Sequence, residues 1–257
     1  MEEKKFIFFD ADDTLWENEI YFRNAEKKYC EIFKDYGTKD EIVDLLWKNQ
    51  EDNIPLFGYG SKTYLIGMID TAYELCARAN LDNNTNGKKS TNRENAVPED
   101  LYLKIKKIIT DLAFHQVEVY DGVEETLRNL SKYYRMAVIT KGDLTEQQYK
   151  FHQSGLDRFF EDYIVVRTKD QKDYMDVCRR FNVTPEEAIM VGNSVRSDIA
   201  PFVEIGGHAI YIPSGNTWVH ELMDLPDSNR IIELKNITEL CNILTDFGTG
   251  IAKDKNE

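Results

Sequence analysis

The chain has 257 residues, of which 42% are hydrophobic and 12% aromatic, and its formal net charge is -14 at pH 7. This composition is typical of a globular protein, and the acidic charge argues against binding to nucleic acid or anionic membranes, which requires a basic face. No apolar run approaches the ~20 residues of a membrane helix, and the acidic start MEEKKFIFF leads us to expect no secretory signal.

The cysteines are widely spaced and form no CxxC pair; they are Cys30, Cys76, Cys178 and Cys241. This spacing is typical of reduced thiols in a cytosolic protein rather than of a disulfide framework or a zinc site. We therefore expect a cytoplasmic protein. The sequence leaves its oligomeric state open.

Residues 5 to 16, KFIFFDADDTLW, predict a buried strand that ends in three carboxylates. The apolar run is continuous rather than alternating, which favours a parallel sheet covered on both faces. Asp10, Asp12 and Asp13 then lie at the carboxyl end of this strand, where open α/β sheets bind ligands. Crowded carboxylates raise one another's pKa unless a cation lies among them, so the pattern predicts a divalent metal site. The alternative is an ordinary polar turn, in which Asp is common.

Helical spacing of apolar residues predicts a helical region after this strand, with helices at about 21–33, from 42 to before Pro55, 65–76 and 101–112. Residues 80–97 are rich in Asn and have no apolar periodicity, so they predict a surface loop. A crossover between parallel strands needs far fewer residues. Residues 17–115 are therefore predicted to form an inserted helical cap domain.

After the insert, strands alternate with helices. The predicted strands are RMAVIT (135–140), YIVV (163–166), AIMVG (188–192) and HAIYI (208–212). With the first strand, they predict an α/β core with a Rossmann-like, doubly wound parallel sheet of five strands. This core comprises residues 1–16 and 116–250, with a helix at 237–244, and residues 251–257 form a charged tail.

The strand ends carry a motif set that resembles the haloacid dehalogenase-like (HAD) superfamily of phosphatases and phosphotransferases. The matches are FFDADDT with Asp10, Asp12 and Thr14; VIT with Thr140; Lys169 after the next strand; and MVGNSVRSD with Asn193 and Asp198. Four motifs in the same order are far more specific than one DxD pair. The helical insert resembles the cap domain of one branch of this superfamily.

The resemblance implies a Mg²⁺-dependent phosphatase that hydrolyses a small-molecule phosphate monoester through an aspartyl-phosphate. It makes Asp10 the nucleophile, and Asp12 the group that protonates the leaving alcohol and then activates water. The dehalogenases and phosphonatases lack a carboxylate at the position of Asp12, so its presence favours C–O–P substrates, and the expected partner is a small phosphorylated metabolite.

The resemblance also implies a ligand set. The metal is held by Asp10, the main-chain carbonyl of Asp12, Asn193 and Asp198. The phosphate is bound by Thr140, the main-chain amides of Lys141 and Gly142, and Lys169.

Two positions depart from the family pattern, because Asp13 stands where Gly is usual and Asn193 where Asp is usual. Asp tolerates a positive φ better than most residues, and an amide oxygen weakens a metal site without abolishing it. We therefore expect activity. Lys172 is an alternative to Lys169 in the third motif.

Substrate choice is predicted to lie in the cap, with Trp16, Tyr59 and Lys62 as candidates, because the glycine-rich turn FGYGSKT can approach a site closely. Alternatively, Tyr59 packs and Lys62 is solvated. Two other functions stay open at this point: a sugar-phosphate mutase with the same motifs, and a non-catalytic phosphate-binding protein on the same fold.

Overall fold

A six-stranded parallel sheet forms the core in the computed structural model, which describes residues 5–85, 97–215, 221 and 223–248. Its strands are β1 (Phe6–Phe9), β2 (Arg135–Lys141), β3 (Asp162–Val166), β4 (Ala188–Gly192), β5 (His208–Tyr211) and β6 (Ile231–Glu233). Their order in the sheet is β3-β2-β1-β4-β5-β6. The predicted Rossmann-like fold is confirmed, but the predicted number of five strands was wrong, because β6 is a three-residue edge strand.

The helices in the described residues are α1 (Glu19–Ile32), α2 (Lys39–Phe57), α3 (Ser61–Thr85), α4 (Glu99–Ala113), α5 (Val123–Leu130), α6 (Leu144–Ser154), α7 (Gln171–Phe181), α8 (Ala200–Glu204) and α9 (Leu240–Gly248). The chain divides into two compact units: residues 1–19, 116–141 and 147–257 form the first, and residues 20–115 with 142–146 form the second. Of the helices just named, none has both the length and the apolar character needed to cross a bilayer.

β1 is buried on both faces, as its continuous apolar sequence predicts. Phe6 and Phe8 pack in one cluster with the apolar face of α7. Ile7 and Phe9 point to the other face and pack with α5 and α9. All four side chains are fully buried, so the strand that carries the acidic motif is fixed from both sides.

The register of the sheet brings the ends of three strands to one edge. Phe9 at the end of β1 pairs with Val138 of β2 and with Val191 of β4. The main-chain amide of Asp10 continues this pattern and donates to the Val191 carbonyl at 2.9 Å. Parallel strands end on the same side, so the residues after β1 and β4 emerge next to each other.

The second unit contains α1 to α4, whose apolar faces form a cluster of their own around Tyr29, Phe33, Met68 and Ile105. The prediction that the second helix ends before Pro55 was wrong. α2 contains this proline and runs to Phe57. Proline removes one main-chain donor, but only the last turn of the helix follows it, and the Gly58 amide still donates to the Ile54 carbonyl at 2.8 Å.

The predicted loop 80–97 was wrong at its start, because α3 extends to Thr85. Once a helix is nucleated by its apolar face, each further residue adds one hydrogen bond, so polar residues at its end remain helical. Residues 86–96 of that loop lie outside the described residues.

Candidate active site

Two buried carboxylates share one ammonium group at the carboxyl end of the sheet. Asp10 follows β1, Asp198 follows β4 and Lys169 follows β3; their side chains are 8%, 1% and 2% exposed. Lys169 Nζ donates to Asp10 Oδ1 and, at 2.7 Å, to Asp198 Oδ1. Burial raises the pKa of Asp10 to about 7 against the opposing attraction of Lys169. Burial also disfavours the charged form of Lys169, but the two carboxylates keep its pKa above the usual value.

A glycine makes room for the Asp198 carboxylate. A Cβ atom on Gly192 would lie 2.3 Å from Asp198 Oδ2, so any side chain there would displace it. The same oxygen accepts a hydrogen bond from the Ser194 amide at 3.0 Å. Asp198 sits on a π-helical turn, Val195–Ile199, that begins directly after this loop. The loop geometry therefore aims the carboxylate back at the end of β1.

Thr14 connects the first and fourth motifs. Its hydroxyl lies 3.0 Å from Asp10 Oδ2 and 3.1 Å from Asn193 Oδ1. Thr14 thus links the Asn193 side chain to Oδ2 of Asp10, whereas Lys169 donates to Oδ1 of the same carboxylate. Asp10, Asn193 and Asp198 are far apart in sequence and are predicted to share a metal. Their contacts with Thr14 and Lys169 bring them close together.

The donor set at this point fits a hard divalent cation. Asp10, Asp198 and Asn193 offer only oxygen atoms, which are the ligands that Mg²⁺ takes in proteins. When both buried carboxylates are ionised, the single ammonium between them leaves a net negative charge, which favours a further cation. Across the described ranges, no three His, Cys, Asp or Glu side chains are grouped so that they could hold a metal ion. A cation here would therefore bind neutral oxygens as well as the two carboxylates.

The Asp12 carboxylate is surrounded by donors. Lys150 Nζ donates to its two oxygens at 2.6 and 2.7 Å, Gln147 Nε2 at 2.7 Å and the Trp16 indole at 2.8 Å. Burial acts to raise the pKa of Asp12, but the Lys150 ammonium and these hydrogen bonds hold it below the usual value. Asp12 is therefore ionised in this conformation.

Lys150 and Gln147 were missed from the sequence. Both lie on α6, three positions apart, so they project from one side of that helix. A lysine in a helix normally indicates a solvated surface, whereas Lys150 is only 1% exposed. Their separation of three residues could have indicated a shared helix face, but it does not identify the residues that contact that face.

The second motif ends β2 at Thr140, which is buried, and Lys141. Gly142 follows with φ of 140°, a conformation that L residues rarely adopt. The Lys141 ammonium pairs with Glu221 at 2.6 Å and donates to the Ser197 hydroxyl at 2.7 Å. Glu221 was also missed, because no motif or periodicity surrounds it.

A family model for a haloacid dehalogenase-like hydrolase matches residues 4–206. The chain belongs to this family. A glyceraldehyde 3-phosphate phosphatase from Pyrococcus abyssi is 31% identical over 255 residues, covering 90% of this chain and 95% of the relative. A second, from Pyrococcus furiosus, is 27% identical over 227 residues, covering 82% and 81%. A haloacid dehalogenase-like hydrolase of known structure from Xanthomonas campestris is 30% identical, with a TM-score of 0.80 over 97% of this chain and 95% of that one.

This HAD family member differs from the usual pattern at Asp13, and the structure gives the residue a local role. Asp13 has φ of 60°, the left-handed region that explains why Gly is usual. Its carboxylate accepts hydrogen bonds from the main-chain amides of Asn18 and Glu19 at 3.0 to 3.1 Å, at the start of α1. Burial and the nearby Asp12 raise the pKa of Asp13 to about 6.

An Asp13→Asn variant should therefore be more stable than the wild type at pH 8, by at most about 3 kcal/mol, because the pKa is raised by about two units at 1.36 kcal/mol per unit. The folded pKa of Asp13 lies above its unfolded value of 3.8. Its contribution to stability is complete below that value and is lost as the pH rises through about 6. Urea unfolding in EDTA at pH 8 and pH 5 measures the difference, and a gain that does not shrink at pH 5 would contradict this account.

The specificity candidates of this HAD hydrolase lie in different settings. Trp16 is fully buried and donates to Asp12. Lys62 forms an exposed ion pair with Asp143 at 2.8 Å, and exposed pairs contribute little to stability. Tyr59 lies in the turn between α2 and α3. A role of these side chains in substrate choice stays a prediction.

Proposed function

We propose that this HAD hydrolase is a Mg²⁺-dependent phosphatase that transfers the phosphoryl group of a small phosphate monoester to Asp10 and then to water. The observation that carries this proposal is the pair of buried carboxylates, Asp10 and Asp198, held by the Lys169 ammonium at the carboxyl end of adjacent strands. The phosphatase class of the reaction agrees with four relatives that are glyceraldehyde 3-phosphate phosphatases.

Asp10 is the nucleophile in this proposal because it is a buried carboxylate with one oxygen on Lys169 and the other beside Thr14. Attack requires the ionised form, and the Lys169 ammonium opposes the effect of burial on the pKa of Asp10. Asp10, the main-chain carbonyl of Asp12, Asn193 and Asp198 would hold Mg²⁺. When bound, Mg²⁺ neutralises charge on the phosphate oxygens, which is the main requirement of phosphoryl transfer.

Asp12 is the proposed acid and base. In its ionised form, held by Lys150, it has the protonation state that activates water for hydrolysis of the aspartyl-phosphate. Protonation of the leaving alcohol requires a proton on the same carboxylate. The Lys150 ammonium contacts both Asp12 oxygens and opposes that protonation, so this step requires the carboxylate to take a proton from water and to weaken these contacts.

The phosphate oxygens would contact the end of β2. Thr140 supplies a hydroxyl there, and the main-chain amides of Lys141 and Gly142 supply donors of the kind that form anion nests. Lys169 adds positive charge. These groups recognise phosphate alone, so they place no limit on the rest of the substrate.

The substrate class we propose is a small phosphorylated metabolite, and glyceraldehyde 3-phosphate is the first to test because four relatives carry it in their names. We also propose a cytoplasmic location, with which the four free cysteines are consistent.

The test is phosphate release from glyceraldehyde 3-phosphate and from 4-nitrophenyl phosphate by the purified full chain. We expect release with Mg²⁺ and its loss after treatment with EDTA, restored by added Mg²⁺. The proposal would be overturned if the protein released phosphate from neither ester and from no member of a panel of phosphorylated metabolites. An aspartyl-phosphate that persists until a sugar phosphate is added would instead identify a mutase.

An Asp12→Asn variant separates the acid role of Asp12 from a structural role. Loss of a general acid is expected to slow hydrolysis of an alkyl phosphate by about 10²–10⁴-fold. The loss should be much smaller in the formation of aspartyl-phosphate from 4-nitrophenyl phosphate, whose leaving group needs no proton. Burst measurements isolate that first step, and equal losses with both esters would contradict the assignment.

A further inference from the structure

Glu221 joins two of the loops that the proposed reaction uses. One of its carboxylate oxygens accepts a hydrogen bond from Lys141 at the end of β2, at 2.6 Å. The other accepts hydrogen bonds from the Ser194 and Ser197 hydroxyls, the latter at 2.6 Å. Both oxygens are thus bonded to residues that flank the predicted phosphate and metal ligands.

The contacts form a closed network. Lys141 Nζ also donates to the Ser197 hydroxyl at 2.7 Å, and the Ser194 hydroxyl accepts from the Ser197 amide at 3.0 Å. The side chains of Lys141 and Glu221 are only 13% and 14% exposed, so this ion pair is shielded from solvent far more than a surface pair. The Lys141 side chain is therefore held at the end of β2 by its contacts with Glu221 and Ser197.

Each serine lies next to a predicted ligand. Ser194 follows Asn193, and its amide is bonded to Asp198 at 3.0 Å. Ser197 precedes Asp198, and its carbonyl accepts from the buried hydroxyl of Tyr174 at 2.8 Å. Movement of either serine would therefore move a group that is predicted to bind Mg²⁺.

We propose that Glu221 is a positioning residue that fixes the Thr140–Lys141 strand end and the 194–198 turn relative to each other, so that the phosphate-binding and metal-binding groups keep their spacing. This inference rests on the proposed function for its kinetic consequence. Its structural part, the joint ordering of the two segments, does not depend on that function.

Glu221 can hold the two segments together because its negative charge lies among hydrogen-bond donors from both of them. The Glu221 carboxylate accepts three hydrogen bonds, one of them from an ammonium, and such charge-assisted bonds are stronger than neutral ones. These contacts outweigh the cost of burial and hold the pKa of Glu221 down at about 2. The Glu221 carboxylate is therefore charged throughout the neutral range, as its hydrogen bonds to both segments require.

The experiment compares Glu221→Gln with the matched control Glu161→Gln. Glu161 pairs with Arg135 at 2.9 and 3.0 Å on the surface, away from these loops, so the control removes the same charge from a different ion pair. A double variant, Lys141→Met with Glu221→Gln, removes both charges of the network. It tests whether any defect arises only from an unpaired lysine.

Three measurements are made on each full-length variant: amide hydrogen exchange without ligands, Mg²⁺ binding by calorimetry, and kcat and KM for 4-nitrophenyl phosphate. We expect Glu221→Gln to raise exchange in peptides that contain Thr140–Lys141 and in those that contain 194–198. Mg²⁺ affinity and kcat/KM should each fall by about 10–100-fold, the effect typical of groups that orient metal ligands. Glu161→Gln should match the wild type in all three measurements.

The double variant separates positioning from stability. We expect it to regain the thermal midpoint of the wild type but not its Mg²⁺ affinity. Because the double variant leaves no unpaired charge, it can be measured even if Glu221→Gln does not fold. Wild-type exchange and Mg²⁺ affinity in Glu221→Gln, or recovery of that affinity in the double variant, would overturn the proposal. Absence of phosphatase activity in the wild type would refute the proposed function, whereas the exchange result would still decide the ordering by Glu221.

Discussion

An Asp10→Asn variant is expected to lose phosphate release while it keeps its fold. The amide has the shape of the carboxylate but cannot attack phosphorus, and removal of a covalent nucleophile lowers kcat by at least about 10⁴-fold. Folding should not suffer from the lost charge itself. Burial raises the folded pKa of Asp10 to about 7, so the stability that this group contributes is present at low pH and lost as the pH rises through that value.

Single-turnover phosphate release with Mg²⁺, together with circular dichroism, measures both parts of this expectation. Asp13→Asn is the matched control, since it makes the same change three positions later at a carboxylate that bonds to the start of α1. Lys169 keeps Asp198 as a partner in the Asp10 variant, so the centre retains an ion pair. Activity above about 1% of the wild type would exclude Asp10 as the nucleophile, because it would correspond to a loss of less than about 3 kcal/mol in the barrier.

A Lys169→Met variant is expected to lose both activity and stability. Asp10 and Asp198 are buried and share this ammonium. Removal of one partner from a buried ion pair leaves uncompensated charge and costs about 3–5 kcal/mol in the free energy of unfolding. Urea unfolding in EDTA measures the loss, and phosphate release should be undetectable because the carboxylates then repel each other and the substrate.

The pH dependence of this loss has a definite sign. Without the ammonium, the pKa of Asp10 rises further above about 7, so its protonated form becomes the stable one over more of the neutral range. The stability deficit of Lys169→Met should therefore shrink as the pH falls from 8 to 5. Lys172→Met is the control, because that lysine is exposed on α7. A defect in the Lys172 variant with none in the Lys169 variant would reverse the assignment of the third motif.

Much of the core was predictable because each motif residue follows a strand whose sequence is itself diagnostic. The continuous apolar runs before Asp10 and Asn193 predicted buried parallel strands, and parallel strands place their ends at one edge. The contacts of Asp10 with Lys169, and of Lys169 with Asp198, are the outcome of that placement. The burial of parallel strands explains both the apolar runs in the sequence and the contacts among the side chains that follow those strands.

The surroundings of the motifs were not predictable, because they depend on which surfaces meet. Lys150 has the sequence context of an exposed helix residue, yet it reaches Asp12 from a helix more than 130 positions away. Glu221 likewise contacts Lys141 over 80 positions. Nothing near either residue in sequence reports the partner, since these contacts depend on how segments that are far apart in sequence pack together.

Short elements were missed for a different reason. β6 has three residues, which is too few for a period-2 pattern to be distinguished from chance. The proline in α2 indicated a helix end, but propensity is a weak constraint in the last turn, where few hydrogen bonds remain to be lost. β6 is fixed by its pairing with β5, whereas the last turn of α2 keeps a main-chain hydrogen bond from Gly58 to Ile54.

The junction between the first unit and the helical insert explains how such a large insert is tolerated. Where the chain leaves and re-enters, Trp16 pairs with Val119 in an antiparallel bridge, the Glu17 amide donates to the Glu118 carbonyl at 3.0 Å, and the Tyr120 amide donates to the Leu15 carbonyl at 3.0 Å. The sheet domain thus closes the loop itself, and the entropy of closure grows only by about 0.6 kcal/mol for each doubling of loop length. The sequence between these two points can therefore be lengthened at small thermodynamic cost, while the strand that carries Asp10 stays in register.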